Sequence, residues 1–460
     1  MNRSVRFGIV WLVAAAVLAS GLVALPPARA ADISDRLVEA RGPTDMLGGG
    51  EYLFVRFGAD AAFGVMWGNA STPNHVYIIA IKARYLGVAQ VFDQAGREVT
   101  RNYPIKIYTL YALRLDGLVE FWDANGDGLA NYRRGYDGQN FTWYSETEDV
   151  SKRTDLRTGW TPGNVTRTSG PGERSWAFNL TAANLPYVGV NNTVVSRGDN
   201  ILNEVQFTFH LRASLEDIDN ATVPNWRVTV DTSRARPVVV DFERLEDLAF
   251  RGKVARYSAK WDQRISGWDF DPGPNRRLLL EFASVVGNVI PLGGAGWADE
   301  GYLGRANETG QARYETASGN ETANETSDLS APRLVRSPYL DFGGNWTRIA
   351  RFAWVTDSTV DGATQPLYGQ VFAGRRILAR GEAGSLFSGF ILLGGLSYAE
   401  GAEIVHDPDV SLDVLAELDL GVGTGLVILV ATVVLGFVAI GLVGFVLRAR
   451  RKRPKPPAYP

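Results

Sequence analysis

The 28 residues from Leu420 to Leu447 carry no charge and consist largely of Val, Leu, Ile and Gly. As a helix rising ~1.5 Å per residue, this stretch exceeds the ~30 Å hydrocarbon core of a bilayer, even when tilted. Uncharged runs of that length are rare in globular cores, so it predicts one membrane span over 420–447, with membrane lipid as its partner. Arg448, Arg450, Arg451, Lys452, Arg453 and Lys455 follow at once, whereas Asp413, Glu417 and Asp419 precede it. Basic flanks stay on the cytoplasmic side, which puts the bulk of the chain outside and a basic tail, 448–460, inside. That tail is short and Pro-rich, suited to anionic headgroups and to little else. Gly421 and Gly425 stand at small-xxx-small spacing, but a Gly-rich segment produces such pairs by composition alone.

The other end tells the same story. Arg3 and Arg6 open the chain, an apolar run covers Phe7–Leu25, and Pro26-Pro27-Ala28-Arg29-Ala30 closes it with small residues at 28 and 30. These are the parts of a secretory signal, expected over 1–30, with cleavage between Ala30 and Ala31. The apolar run is also long enough for an uncleaved anchor. With the signal cleaved, the product is a single-pass type I protein of the cell membrane, its bulk extracellular.

Between residues 31 and 447 there are 38 basic against 50 acidic side chains. An acidic body argues against nucleic acid, because phosphate binding needs concentrated Lys and Arg. The chain has no Cys, which excludes disulfides, zinc ribbons, iron–sulfur clusters and thiol nucleophiles. At 45% apolar and 11% aromatic residues it can pack cores.

Short runs rich in β-branched and aromatic residues dominate the body, among them Glu51–Gly58, Val76–Tyr85, Ile105–Leu115, Leu118–Trp122 and Glu204–Leu211. Trp226–Asp231, Val238–Phe242, Val254–Trp261, Leu278–Phe282, Trp346–Val355, Leu367–Phe372 and Phe387–Leu393 continue the series. Alternation in Glu204-Val-Gln-Phe-Thr-Phe-His-Leu-Arg marks strands with one wet and one packed face. The expected fold is all-β, as one large or two consecutive β-sandwich domains plus the C-terminal transmembrane helix. Only Glu243–Phe250 suggests a short helix. Arg234-Ala-Arg-Pro237 is the best seam. It divides the body into 50–235 and 236–410, after a lead over 31–49 and before a stalk over 411–419. Residues 306–332 are poor in apolar side chains and predict a mobile, glycosylated loop; 147–175 is similar but shorter.

Ten Asn-X-Ser/Thr triplets start at Asn69, Asn140, Asn164, Asn179, Asn191, Asn220, Asn307, Asn320, Asn324 and Asn345. Chance pairing in this composition gives roughly two, so the excess points to glycosylation, with each modified Asn facing water. The alternative, which the excess outweighs, is a composition rich in Thr with no sugar attached. Signal, Cys-free acidic ectodomain, triplets, one span and basic stub together resemble an archaeal cell-surface glycoprotein. The resemblance is architectural and includes no folded-domain motif.

The sharpest local pattern is Asp123-Ala-Asn125-Gly-Asp127-Gly128-Leu129-Ala-Asn131. Side-chain oxygens at relative positions 1, 3, 5 and 9, a carbonyl at 7 and Gly at 6 can wrap a hard cation. The run resembles the first nine positions of EF-hand and dockerin-type calcium loops, which implies a structural Ca2+. It departs at position 12, where Arg134 replaces the acid, so Asp137 or a remote carboxylate would have to complete the shell. The alternative is a turn held by its own Asx hydrogen bonds.

Elsewhere the chemistry is thin. His75, His210 and His406 are the only histidines, and each fits a turn or a strand face. No nucleophile elbow, His-Glu-X-X-His pair or phosphate loop is present. Most tryptophans are expected to be core anchors, with exposed ones free to stack on sugars. The reading is a non-enzymatic interaction or adhesion protein of the cell envelope, with a cell-surface glycan or protein as ligand. A membrane-tethered ectoenzyme acting on polysaccharide or peptide is the first rival, marked by a cleft with two carboxylates, one perturbed. A surface-lattice subunit is the second.

Overall fold

From Ile201 to Asp231 buried and exposed positions alternate almost without a break, far past the Glu204–Leu211 segment that announces the pattern. The same behaviour elsewhere makes the described residues nearly all strand. A computed structural model describes residues 37–57, 61–130, 132–136, 141–145, 150–188, 201–231, 233, 238–291, 311–316, 318–323, 333–343, 348–380 and 385–418. The signal (1–30), the seam (234–237), the span (420–447) and the tail (448–460) lie outside them.

The first strands are β1 (Leu37–Thr44), β2 (Gly50–Phe57), β3 (Ala61–Trp67), β4 (Val76–Asp93) and β5 (Glu98–Trp122). Then come β6 (Tyr132–Tyr136), β7 (Phe141–Ser145), β8 (Val150–Asp155), β9 (Thr161–Pro162), β10 (Thr166–Gly170) and β11 (Glu173–Pro186). The middle holds β12 (Ile201–Asp231), β13 (Val238–Ser266), β14 (Arg276–Pro291), β15 (Gln311–Thr316), β16 (Gly319–Ala323) and β17 (Arg333–Val335). Last are β18 (Tyr339–Gly343), β19 (Arg348–Ala353), β20 (Asp357–Val360), β21 (Ala363–Pro366), β22 (Tyr368–Arg380), β23 (Ser385–Ala399), β24 (Glu403–His406) and β25 (Asp409–Leu418).

Two antiparallel layers result. One runs β1-β2-β3-β4-β5-β14-β23-β22-β17. The other runs β10-β11-β12-β13-β25-β19-β18-β15-β16. A parallel pairing of β4 with β12, Val88–Asp93 beside Asn225–Val230, joins them. Aromatic rings meet across the gap: Trp67 and Phe178 at 5.6 Å, Phe63 and Tyr257 at 5.6 Å, Tyr111 and Phe342 at 5.2 Å, Phe282 and Phe352 at 4.9 Å. These bulky side chains make the largest single burials. One continuous core cluster reaches from Leu37 to Val410, and the strands flanking the expected seam pair directly, Asp231 opposite Val238.

Three local expectations change. Glu243–Phe250 is not a helix but part of β13, with Glu243 opposite Arg227 and Phe250 opposite Ala221. Its residues are good helix formers, yet backbone pairing with β12 on both sides of a bulge at Glu246 and Asp247 outweighs propensities of a few tenths of a kcal/mol each. Within 306–332, expected as a loop, β15 and β16 form a hairpin that buries Ala312 and Tyr314. Within 147–175, β8 pairs with β5 and β10 with β11; the polar composition marks an exposed strand in β10, whereas β8 buries Val150, Lys152 and Thr154.

A buried ionic cluster ties the segment after β13 to the first layer. Glu120 on β5 has no exposure; its Oε2 accepts from Trp268 Nε1 at 2.8 Å and its Oε1 from the Asp271 amide at 2.9 Å. Lys152 on β8, 3% exposed, lies 3.4 Å from Glu120 and 3.2 Å from Asp271, and donates to the Asp269 carbonyl. Its ammonium also stands 5.0 Å from the Tyr187 ring centroid.

Candidate functional site

Asp123 leaves the end of β5 with its amide bonded to the Asn275 carbonyl at 2.9 Å. Its Oδ2 accepts from Gly128 N at 2.9 Å, Asn125 Oδ1 from Asp127 N at 3.0 Å, and Asp127 Oδ1 from Leu129 N at 2.8 Å. Asn125 Nδ2 closes the ring on Asp127 Oδ2 at 2.9 Å. Gly128 is obligatory: its φ is +79°, and a Cβ would meet the Tyr368 ring at 2.3 Å. Gln370 on β22 grips the loop from behind, its Oε1 accepting from Ala130 N and its Nε2 donating to Ala130 O.

One oxygen is left over. Asp123 is 4% exposed, and its Oδ1 has no hydrogen-bond partner. Arg277, stacked 4.9 Å from the Tyr368 ring centroid, lies within electrostatic reach of Asp123 and Asp127. Burial lowers the Arg277 pKa, and the two carboxylates oppose that. Asp123, Asn125, Asp127 and Leu129 are thus on one tight turn, while Asn131 and Asp137 lie outside the described residues. Among the described residues no group of three or more His, Cys, Asp or Glu gathers to hold a metal. Any cation here relies on Asn and carbonyl oxygens beside the two carboxylates.

Of the sequon asparagines, Asn164, Asn220 and Asn320 are exposed and Asn69 and Asn179 half-buried. Asn69 Oδ1 caps its own turn, accepting from Ser71 N at 3.0 Å and Thr72 N at 2.8 Å, which leaves Nδ2, the glycan-bearing atom, outside that turn. Asn140, Asn191, Asn307, Asn324 and Asn345 lie outside the described residues or their described side chains.

The second layer carries a feature that motif reading does not reach. On its wet face a groove of about 650 Å³ is lined by Glu173, Ser175, His210, Arg212, Ser258, Lys260, Trp354, Val355, Asp407 and Asp409 among others. Register places Ala177, His210, Lys260, Asp409 and Ala353 in one row across β11, β12, β13, β25 and β19. His210 Nε2 is 3.0 Å from Asp262, and Lys260 is 3.1 Å from Asp407 and 3.7 Å from Asp262. Arg212 bonds Glu173. Asp409 Oδ1 is buried without a partner, and burial pushes the Asp409 carboxyl up to about 6, with Lys260 opposing.

Comparison with protein-family models, curated proteins and solved structures finds no match. The groove and loop therefore speak through their own chemistry.

The remaining candidates are structural. His75 Nε2 is 3.1 Å from Asp155, and His406 is 2% exposed between Tyr398 and the Val355 carbonyl. Trp67, Trp160, Trp176, Trp261, Trp268 and Trp354 are buried as anchors, whereas Trp122 is 39% exposed beside the Asp123 loop. Alternation in His406-Asp-Pro-Asp409-Val410, with the even positions buried, is the sequence signal that points Asp407 and Asp409 outward together.

Proposed function

We propose that the chain is a type I single-pass surface glycoprotein whose β-sandwich body stands outside the cell and works by non-covalent interaction. Its signal is removed at Ala30–Ala31, residues 420–447 cross the membrane, and 448–460 remain inside. The carrying observation is the accessibility of the triplet asparagines. Every described one reaches solvent, and the buried Asn74 (3%) and Asn225 (7%) belong to no triplet, although exposed asparagines outside triplets, such as Asn125 and Asn203, are present too. A glycan demands that accessibility, because it cannot be buried. The end of the body supports it too: Leu418, still paired with Gly252, stands two residues before the apolar segment. Protease added to intact cells should digest the body and spare the tail. Glycosidase treatment should lower the apparent mass, and Asn220→Gln should remove one step of that shift. An intact body under protease, or a mass unmoved by the glycosidase, would sink the reading.

The Asp123 loop would hold a structural Ca2+ through Asp123, Asn125, Asp127, the Leu129 carbonyl and Asn131. The orphaned Asp123 Oδ1 supports this. With no acid at position 12 and Arg277 close by, binding is weak, and saturating calcium should add about 1–3 kcal/mol of stability. Calcium-titrated melting of the detergent-solubilised full chain checks it. Asp123→Asn should abolish the increment, and a calcium-independent wild-type melt would remove the metal.

A further inference from the structure

The groove on the second layer offers an unusual set of charges. Each of its cations is already matched: Arg212 by Glu173, Lys260 by Asp407 and Asp262, His210 by Asp262. An anionic ligand therefore finds no free positive charge. What remains is a buried carboxyl oxygen, Asp409 Oδ1, that lacks a donor, with the Ser175 and Ser258 side chains in the next row. Leaving such an acceptor unmatched is costly, so a ligand that supplies an uncharged donor gains there. Beside these polar rows the groove carries apolar surface. Val355 is 52% exposed, with Ala353 and Trp354 behind it. Rows lie ~7 Å apart along the strands and ~4.8 Å apart between them, a spacing that serves successive hydroxyls of one chain.

We infer that this groove binds a neutral oligosaccharide, with Asp409 Oδ1 accepting a sugar hydroxyl and the Val355 rim packing against sugar C–H faces. The inference rests on the interaction reading above and names its ligand class and site. Groups facing Asp409 come from every neighbouring strand: Lys260 on β13, His210 and Arg212 on β12, Glu173 on β11, and Asp407 before β25. From β19 come Ala353, from its end Trp354 and Val355, and one row away Arg351, which is paired with Asp341; Asp262 on β13 holds His210 and Lys260. An ionised acceptor binds a hydroxyl more strongly than a neutral one, so affinity should rise several-fold from pH 5 to pH 7.5.

The test uses detergent-solubilised full chain against neutral gluco-, manno- and galacto-oligosaccharides, with uronic-acid oligosaccharides as the charged arm, read by calorimetry. Neutral sugars should bind and acidic ones should bind at least tenfold more weakly. Asp409→Asn should lose about tenfold at pH 7.5 and lose the pH dependence. Ser258→Tyr, on the wet face, should block binding by bulk while the melting point holds. The inference is overturned if no neutral sugar binds at millimolar concentration, if uronates bind as tightly, or if Asp409→Asn binds like the wild type. Release of reducing ends would replace binding with catalysis and overturn it as well. Failure here leaves protease accessibility on cells unchanged, which separates it from failure of the surface reading.

Discussion

Lys152→Met should destabilise the protein by about 3–5 kcal/mol, seen as a large fall in the urea midpoint. The reason is what stays behind. Glu120 has no contact with solvent, and two donors, Trp268 Nε1 and the Asp271 amide, hold it in place. Lys152 is the cation at 3.4 Å; Arg276 Nε is farther, at 3.8 Å. Methionine fills the space but leaves the buried carboxylate with only the more distant Arg276 as a counter-charge, and the Asp269 carbonyl loses its donor. Glu120→Gln combined with Lys152→Met should recover part of the loss, because it removes the buried charge, although the single amide oxygen keeps only one of the two bonds from Trp268 Nε1 and the Asp271 amide and the NH2 faces the other donor. If the double variant were as unstable as the sum of the singles, the pair would be uncoupled and the lost packing of Lys152 on Tyr187 would be the cause.

The strand character of the body was legible because alternation is a local signal, as Phe207, Phe209 and Leu211 show by facing the core while His210 faces water. The lengths of the strands were not. Leu118–Trp122 and Ile105–Leu115 are one strand, and so are Glu204–Leu211 and Trp226–Asp231. The intervening polar residues look like loops until a partner strand supplies their hydrogen bonds. The same non-local effect turns Glu243–Phe250 into strand.

For the candidate sites the division is similar. The Asx turns of Asp123–Leu129 follow from spacing, but Gln370 clamps the loop from 240 residues away. The groove is assembled from residues between Glu173 and Asp409 on five strands, and only their registers bring His210, Lys260 and Asp409 into one row. Local alternation turns His210 and Asp409 outward, but nothing in the local sequence announces that they meet.

Acidification from pH 7 to pH 4 should remove about 3 kcal/mol of stability through His406 alone. The imidazole is 2% exposed, and burial pushes its pKa from 6.5 down to about 4, against the Val355 carbonyl bond and the Asp407 charge that favour protonation. Since a carbonyl only accepts, Nε2 carries the proton and donates to Val355 O at 2.9 Å, while Nδ1 accepts from Tyr398 at 3.2 Å. The unfolded chain takes up its proton near pH 6.5 and the folded chain only near 4. The stabilisation is therefore complete above 6.5 and lost across that window as pH falls. Asp409, three residues on, works in the opposite sense. Its raised pKa makes the folded state bind its proton first, so stability declines as pH rises from about 4 to about 6. With that carboxyl partly solvated, the effect is about 1–2 kcal/mol. Two substitutions separate the terms. His406→Gln should flatten the loss between pH 6.5 and 4, and Asp409→Asn should raise stability at pH 7 and steepen the fall below 6. An acid limb unchanged by His406→Gln would mean that the ring is wetter than its packing against Tyr398 allows.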